Sequence, residues 1–411
     1  MMWMAGYASR TKPAEGVALD LFAKALALED PAGKRLIILT LDLIGIPRTL
    51  RINVAVRLQK EQGIDPACLM MNASHTHCGP ELRVTSTELT DEPNRRAAEA
   101  TAYTEKLENT LVALASDALK HLQPASLRYS FARCGFAMNR RTPGAKGYAN
   151  HPYPQGPVDH QVPVLKVTGA DGKEIAIAFG YNCHNTTMSF MQFCGDYAGY
   201  AQLDLEQEHP GAVALFINGC SGDQNPYPRG KIEQVQTHGR SLASAVDAAL
   251  ETDLIALTGP LRAAYQEIPL AYSPVPSAAE LETRQKSTSA LETAYAGRLM
   301  TLLKQRGSLP SDYPYPVQVI RLGDQLTLVA LGGETVVDYS LRLKSEAKDA
   351  AVWVAGYSND VMTYIPSLRV LKEGGYEAGD AMKYGSHPAP WSDKVEEQIL
   401  STVHRLRKTL E

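Results

Sequence analysis

The chain has 411 residues, 44 % of them hydrophobic and 21 % charged, with a net charge of −4 at neutral pH. This is the make-up of a folded globular protein with a substantial core, and it lacks the basic surplus that nucleic-acid binding requires, which excludes nucleic acid as a partner. No run reaches the roughly 18 uninterrupted apolar residues of a transmembrane segment; the nearest approach, 36–47, is broken by Asp42 and reads as a buried strand.

The opening Met1-Met2-Trp3-Met4-Ala5-Gly6 has neither the basic start nor the apolar core of a signal peptide. The compartment therefore stays open, either cytoplasmic or, with a signal removed, secreted or periplasmic. Strand-like apolar runs follow at 36–41, 69–71, 164–167, 175–179, 213–217, 317–322, 326–331 and 352–354. Helical faces separate many of them. Tyr103, Leu107, Leu111, Leu114 and Leu122 mark one, and Val235, Leu242, Val246 and Leu250 a second. Leu291, Tyr295, Leu299, Leu302 and Leu303 mark a third; Val395, Ile399, Val403 and Leu406 mark the last. Strands alternating with helices predict an α/β fold with mixed central sheets flanked by helices, and Gly323-Asp324 is placed to turn a hairpin. We read residues 1–411 as a single catalytic domain. Two long stretches rich in turn residues, 140–156 and 218–230, are candidate active-site loops. The six cysteines (68, 78, 134, 183, 194 and 220) form no Cys-x-x-Cys pair, so buried free thiols are favoured over a zinc knuckle or a disulfide framework.

The sharpest local feature is Asn72-Ala73-Ser74-His75-Thr76-His77-Cys78-Gly79-Pro80, directly after an apolar strand. Residues two apart in extended chain point to one side, so His75 and His77 can present both imidazoles to one point. Catalytic groups in open α/β sheets collect at the carboxyl ends of strands. His184 repeats the pattern after the strand at 175–179; the alternative is a core histidine bonded to a backbone carbonyl. Glu334 follows the strand at 326–331 in Leu331-Gly332-Gly333-Glu334. Burying an isolated carboxylate is costly unless it is paired or metal-bound. The alternative is an acid at the N-terminus of a helix running through Leu343. Two histidines and a carboxylate with one open position make the donor set of catalytic zinc. Composition alone assigns no role to the tyrosines of the segment from Gly356 to Tyr376.

Taken together, these motifs resemble the neutral/alkaline non-lysosomal ceramidase family, in order from Ala5-Gly6-Tyr7 to Gly379. His75-Thr76-His77-Cys78-Gly79-Pro80 is similar to the family's His-Thr-His-Ser-Gly-Pro, and His184-Asn185-Thr186-Thr187-Met188 to its His-Pro-Thr-Ser-Met. Gly333-Glu334 resembles its Pro-Gly-Glu, the span from Asn359 to Tyr364 its Asn-x-x-x-x-Tyr loop, and Tyr376-Glu377 its Tyr-Glu-Gly element. The resemblance implies a single Zn2+ held by His75, His184, Glu334 and Tyr364, with His77, Arg140 and Tyr376 lining the substrate site. It also implies hydrolysis of an amide in a ceramide-like acyl substrate, a small-molecule or lipid-like partner; oligomeric state is left open.

Two departures stand out. The family's catalytic serine lies in Gly-Asp-Val-Ser-Pro-Asn, whereas this chain reads Gly222-Asp223-Gln224-Asn225-Pro226-Tyr227. Asn225 thus occupies the serine position and cannot act as a nucleophile, though it can hydrogen-bond. The family's C-terminal immunoglobulin-like domain is also expected to lie outside this sequence. The mechanism expected without the serine uses a zinc-activated water. His77 or Asp223 accepts the proton, Tyr376 or Arg140 donates to the developing oxyanion, and Asn225 orients the amide. Two alternatives are a zinc-dependent esterase, lactonase or short-chain N-acyl amidase, and a metal- or ligand-binding homologue that has lost catalysis.

Overall fold

The computed structural model describes residues 2–82, 92–145, 147–347, 350–385 and 387–411. The apolar runs, rich in β-branched and long aliphatic residues, become strands of three larger sheets. A three-stranded sheet runs Ala23–Glu29, Arg35–Leu41, Leu69–Ala73. A five-stranded sheet runs Val213–Asn218, Glu174–Tyr181, Gln161–Gly169, Ala125–Arg133, Ile255–Leu257. A four-stranded sheet runs Leu261–Ala271, Asp312–Leu322, Leu326–Leu331, Ala351–Ala355. Each is antiparallel except for one parallel pair: Arg35–Leu41 with Leu69–Ala73, Glu174–Tyr181 with Val213–Asn218, and Leu326–Leu331 with Ala351–Ala355. All eight predicted strands lie within this framework, and the hairpin turning at Gly323-Asp324 forms as the spacing predicts.

Alternation along the strands gives two of the sheets two buried faces. Leu326, Leu328 and Ala330 enter a central core with Ile38, Met70, Leu215 and Trp353, so all three sheets share it. On the opposite face Val329 and Leu331 pack with Ile399 and Val403 of the helix Val395–Thr409. Likewise Ile177 and Phe179 meet Leu205 of Asp196–Glu208 and Leu242 and Val246 of Ile232–Leu250. The third predicted helical face lies on Ala290–Arg306. The first lies on Glu92–Lys120, which ends before Leu122. All six cysteines are buried and free. Among the described residues no helix is long and apolar enough to cross a membrane.

The two candidate loops are more ordered than their composition suggests. Within 140–156, Arg141–Gly144 and Gly147–Asn150 form a small antiparallel hairpin. Within 218–230, Gln224–Pro226 pairs with Ala137–Asn139, so the two stretches are stitched together.

The ends of the three parallel pairs meet at Asn72, which is fully buried. Its Oδ1 accepts the Asn218 amide at 2.8 Å, while its Nδ2 lies 2.8 Å from the Gly356 carbonyl, 3.2 Å from that of Asn218 and 3.1 Å from Ser358 Oγ. One carboxamide therefore joins the final turns of all three sheets. The approach is tight: a Cβ on Gly356 would stand 2.6 Å from the Gly219 carbonyl oxygen. Asn72→Ala would strand buried backbone groups from two other strands, and we expect it to destabilise the protein by about 1–3 kcal/mol in urea unfolding.

A second polar tie lies at the far end of the five-stranded sheet. His209 Nδ1 is 2.6 Å from Glu174 Oε2 and its Nε2 is 3.0 Å from Asp247 Oδ1. Burial pushes this imidazole's pKa down, but the Asp247 and Glu174 carboxylates outweigh it and hold the pKa above the ordinary 6.5. A raised folded-state pKa contributes stability that is complete below the unfolded value and fades as pH rises through the folded one. His209→Phe should therefore lose more stability relative to wild type at pH 5.5 than at pH 9, measured by denaturant midpoints.

Candidate metal centre and the arginine beside it

Each predicted donor follows a strand end. His75 lies just past Leu69–Ala73, and His184 just past Glu174–Tyr181. Glu334 opens the short strand Glu334–Thr335, which pairs in parallel with Tyr364–Ile365 so that Glu334 and Tyr364 are register partners. Gly333 makes this possible: its φ is +70°, and a Cβ there would stand 2.8 Å from the Thr363 carbonyl oxygen. The helix that follows is Asp338–Ser345, and its N-cap residue is Val337. Glu334 thus faces the histidines instead of serving as a helix N-terminal acid.

The histidine pair meets by a route other than simple strand alternation. His75 has left the strand and adopts φ +63°, a left-handed conformation uncommon outside glycine. The backbone turns there, yet His75 Nε2 and His77 Nε2 stand 3.1 Å apart. Tyr357 (φ +51°) and Asn359 (φ +65°) share this rare conformation, and the Tyr357 ring packs 4.5 Å from that of His75. Such strain persists only where surrounding structure over-determines it, and it gathers at functional sites.

Backbone carbonyls fix the ring tautomers. His75 Nδ1 lies 2.5 Å from the Ile44 carbonyl and His184 Nδ1 2.5 Å from that of Ser221. A carbonyl only accepts, so each Nδ1 carries the proton and each Nε2 presents a lone pair. Both lone pairs converge on one oxygen: Glu334 Oε2 is 3.2 Å from His75 Nε2 and 3.3 Å from His184 Nε2. Tyr364 Oη lies 3.3 Å from His184 Nε2, and Tyr357 Oη is 3.4 Å from the same Glu334 oxygen. One ring nitrogen each from His75, His77 and His184 falls within 4.8 Å of the other two.

Burial, reinforced by Arg140, pushes the His184 pKa down to about 3, and burial with its histidine neighbours puts His77 well below its usual range. Glu334 is held well below the ordinary carboxylate range, since His75 and His184 outweigh the upward push of burial. The Nε2 atoms of His75 and His184 and a carboxylate oxygen therefore crowd one point, while each Nδ1 is already turned to a backbone carbonyl. Acceptors so arranged repel unless a cation sits among them, and their chemistry suits a divalent metal with nitrogen and oxygen ligands. His77 stands at the edge of this group, its Nδ1 buried without a partner and its ring 4.9 Å from Tyr7.

Arg140 links the donors to the second predicted loop. It is 5 % exposed, and it donates to Tyr364 Oη at 3.0 Å, to Asn225 Oδ1 at 3.3 Å and to Glu377 Oε1 at 2.8 Å. Asn225 also accepts from Thr186 Oγ1 at 3.3 Å and donates to Asn150 Oδ1 at 3.2 Å. Tyr376 is 42 % exposed, with its ring 5.3 Å from that of Tyr364. Asp223 is placed differently from the proton acceptor anticipated in the sequence. Its carboxylate is fully buried and already receives Asn139 Nδ2, the Val337 amide, Gln224 Nε2 and Arg369 Nη2. Such an acid anchors loops; it does not face the histidines.

Two contributors were not singled out from the sequence. Tyr357 touches both His75 and Glu334, and its only sequence signal is its place in the segment that leads to Tyr364. Glu377 is 4 % exposed and binds both Arg140 and Arg141, the latter also holding Glu373 at 3.0 Å. Its adjacency to Tyr376 is the signal that could have marked it.

Fold and donor set together define an α/β protein with a buried site suited to a divalent cation. The chain belongs to the neutral/alkaline non-lysosomal ceramidase family, whose N-terminal-region model matches residues 1–269. A curated relative, the neutral ceramidase of Pseudomonas aeruginosa, is 24 % identical over 479 aligned positions, covering 96 % of this chain and 68 % of the relative. Two solved structures share the fold across the whole chain. One is a ceramidase complexed with C2 (TM-score 0.74, 19 % identity, 73 % of that chain covered). The other is the neutral ceramidase from Pseudomonas aeruginosa (TM-score 0.72, 20 % identity, 72 % covered).

Glu377→Gln removes the one carboxylate shared by two buried guanidiniums. Calorimetry should show a lower unfolding temperature, because an unbalanced buried charge typically costs about 3–5 kcal/mol, while metal content stays that of the unmodified protein.

Proposed function

We propose that the protein is a zinc-dependent amidohydrolase that cleaves the linear amide of an N-acyl, ceramide-like substrate, with residues 1–411 acting as one catalytic unit. The observation that carries this is the convergence of two Nε2 lone pairs and the Glu334 carboxylate oxygen at 3.2–3.3 Å. In this reading His75, His184, Glu334 and Tyr364 hold the zinc. When bound, the ion supplies Lewis acidity and lowers the pKa of a water to about 7.

The chain's own groups do the rest. His77, whose Nε2 stands 3.1 Å from His75 Nε2 at the edge of the centre, takes a proton from the attacking water. Arg140 and Tyr376 border the place where negative charge develops on the carbonyl oxygen, and Arg140 is pre-set there by Glu377 and Asn225. Asn225 has its carboxamide bonded to Arg140, Thr186 and Asn150, so it positions the arginine and the loop rather than attacking substrate.

A second reading, a short-chain amidase or esterase, is favoured by the size of the cavities at the site. One of about 210 Å³ reaches His75 and Glu334, and one of about 350 Å³ lies beside Arg140. Sites for drug-sized ligands usually span about 300–1,000 Å³.

Elemental analysis of protein purified without added zinc should find about one zinc per chain, and none in a His75→Ala/His184→Ala double variant. The unmodified protein should hydrolyse an N-acyl amide. Metal-free protein that still turns over the amide would overturn the proposal, as would a zinc-loaded protein inert toward every amide and ester offered.

A further inference from the structure

The cavity beside Arg140 has a character that amide cleavage alone does not require. Its volume is about 350 Å³, and its polar lining includes Arg140, Asn150, His151, Asn225, Tyr227 and Arg229. Among the described residues no carboxylate lines it. The two arginines differ in their surroundings. Arg140 is balanced by Glu377, whereas Arg229 is exposed and, among the described residues, has no ion-pair partner.

The cavity also borders the predicted donors through Arg140. Arg140 donates to Tyr364 Oη at 3.0 Å and forms part of the cavity wall, so a single guanidinium stands between this cavity and a predicted metal donor. The smaller cavity, which reaches His75 and Glu334, is walled by Ile44, Pro47, Val361 and Met362. One side of the centre is thus mainly apolar, and the other is polar with an uncompensated positive charge. A carbonyl placed at the centre would send its acyl half one way and its amine half the other.

We propose that the cavity beside Arg140 is an anion-recognition pocket, in which Arg229 and His151 receive a carboxylate carried on the amine half of a short N-acyl substrate. This rests on the amide-hydrolase reading and narrows its substrate class to N-acyl amino acids and compounds of the same chemistry. The Asn225 and Asn150 carboxamides flank the path between scissile amide and carboxylate. In the reaction water adds across the C–N bond. The acyl half leaves as a carboxylate and the amine half as an ammonium ion that still carries its own carboxylate.

The test compares kcat/KM for N-hexanoylglycine and its neutral isostere N-hexanoylglycinamide, with a two-chain ceramide as a third substrate. Wild type should favour the carboxylate over the carboxamide by about tenfold or more, as expected for a charge-assisted contact. Arg229→Gln should bring that ratio close to one, and Arg229→Lys should retain part of it. A wild-type ratio near one, or a ratio undisturbed by Arg229→Gln, overturns the pocket. Cleavage of ceramide alone overturns it too and leaves the amidase reading standing. If none of the three amides is cleaved by zinc-loaded protein, the amidase reading fails and the pocket falls with it.

Discussion

The Asn72 carboxamide stands where three sheets end, and the geometry of the site depends on it. Strand ends leave backbone amides and carbonyls without ladder partners, and burying them unpaired is costly. Here those groups are brought together and paired through one side chain that accepts from Asn218 and donates toward Gly356. Because Asn72 is only a few residues from His75, the same clamp that closes the sheets also fixes the start of the donor segment. Gly356 permits the approach by having no side chain to obstruct it.

The donors converge as a consequence. Parallel pairs place their carboxyl ends on one side, and three such pairs bring three sets of strand-end residues to a common centre. Carbonyls of Ile44 and Ser221 then set the tautomers of His75 and His184, so both lone pairs point inward before any ligand arrives. Preorganisation of this kind costs conformational strain, visible as left-handed backbone at His75 and Tyr357. Around the donors Arg140 and Glu377 balance charge that burial would otherwise make prohibitive.

Much of this was legible in the sequence, for particular reasons. Apolar runs such as 326–331 are long enough to be strands whatever surrounds them, and the 3.6-residue spacing on Val395–Thr409 needs no tertiary information. His75, His184 and Glu334 stood out because each follows such a run. What could not be read was the way distant segments complete one another. Strand alternation predicts that His75 and His77 share a side, but the left-handed turn that joins them is imposed by neighbours. The pairing of Gln224–Pro226 with Ala137–Asn139 made structure of two apparent loops. Asp223 was misread for the same reason, since its four hydrogen-bond donors come from elements scattered along the chain.

The proposed donors at positions 75, 184, 334 and 364 are spread over most of the polypeptide, and this has a consequence for its biogenesis. No partial chain made from the N-terminus possesses the complete set until Tyr364 has been synthesised. If these residues hold the cation as proposed, its capture is a late event in the life of the nascent protein, and a polypeptide that stalls or is cut before that point can offer only an incomplete, weaker chelate. Metal retention in this protein would report on completion of the entire fold and not on any one segment of it.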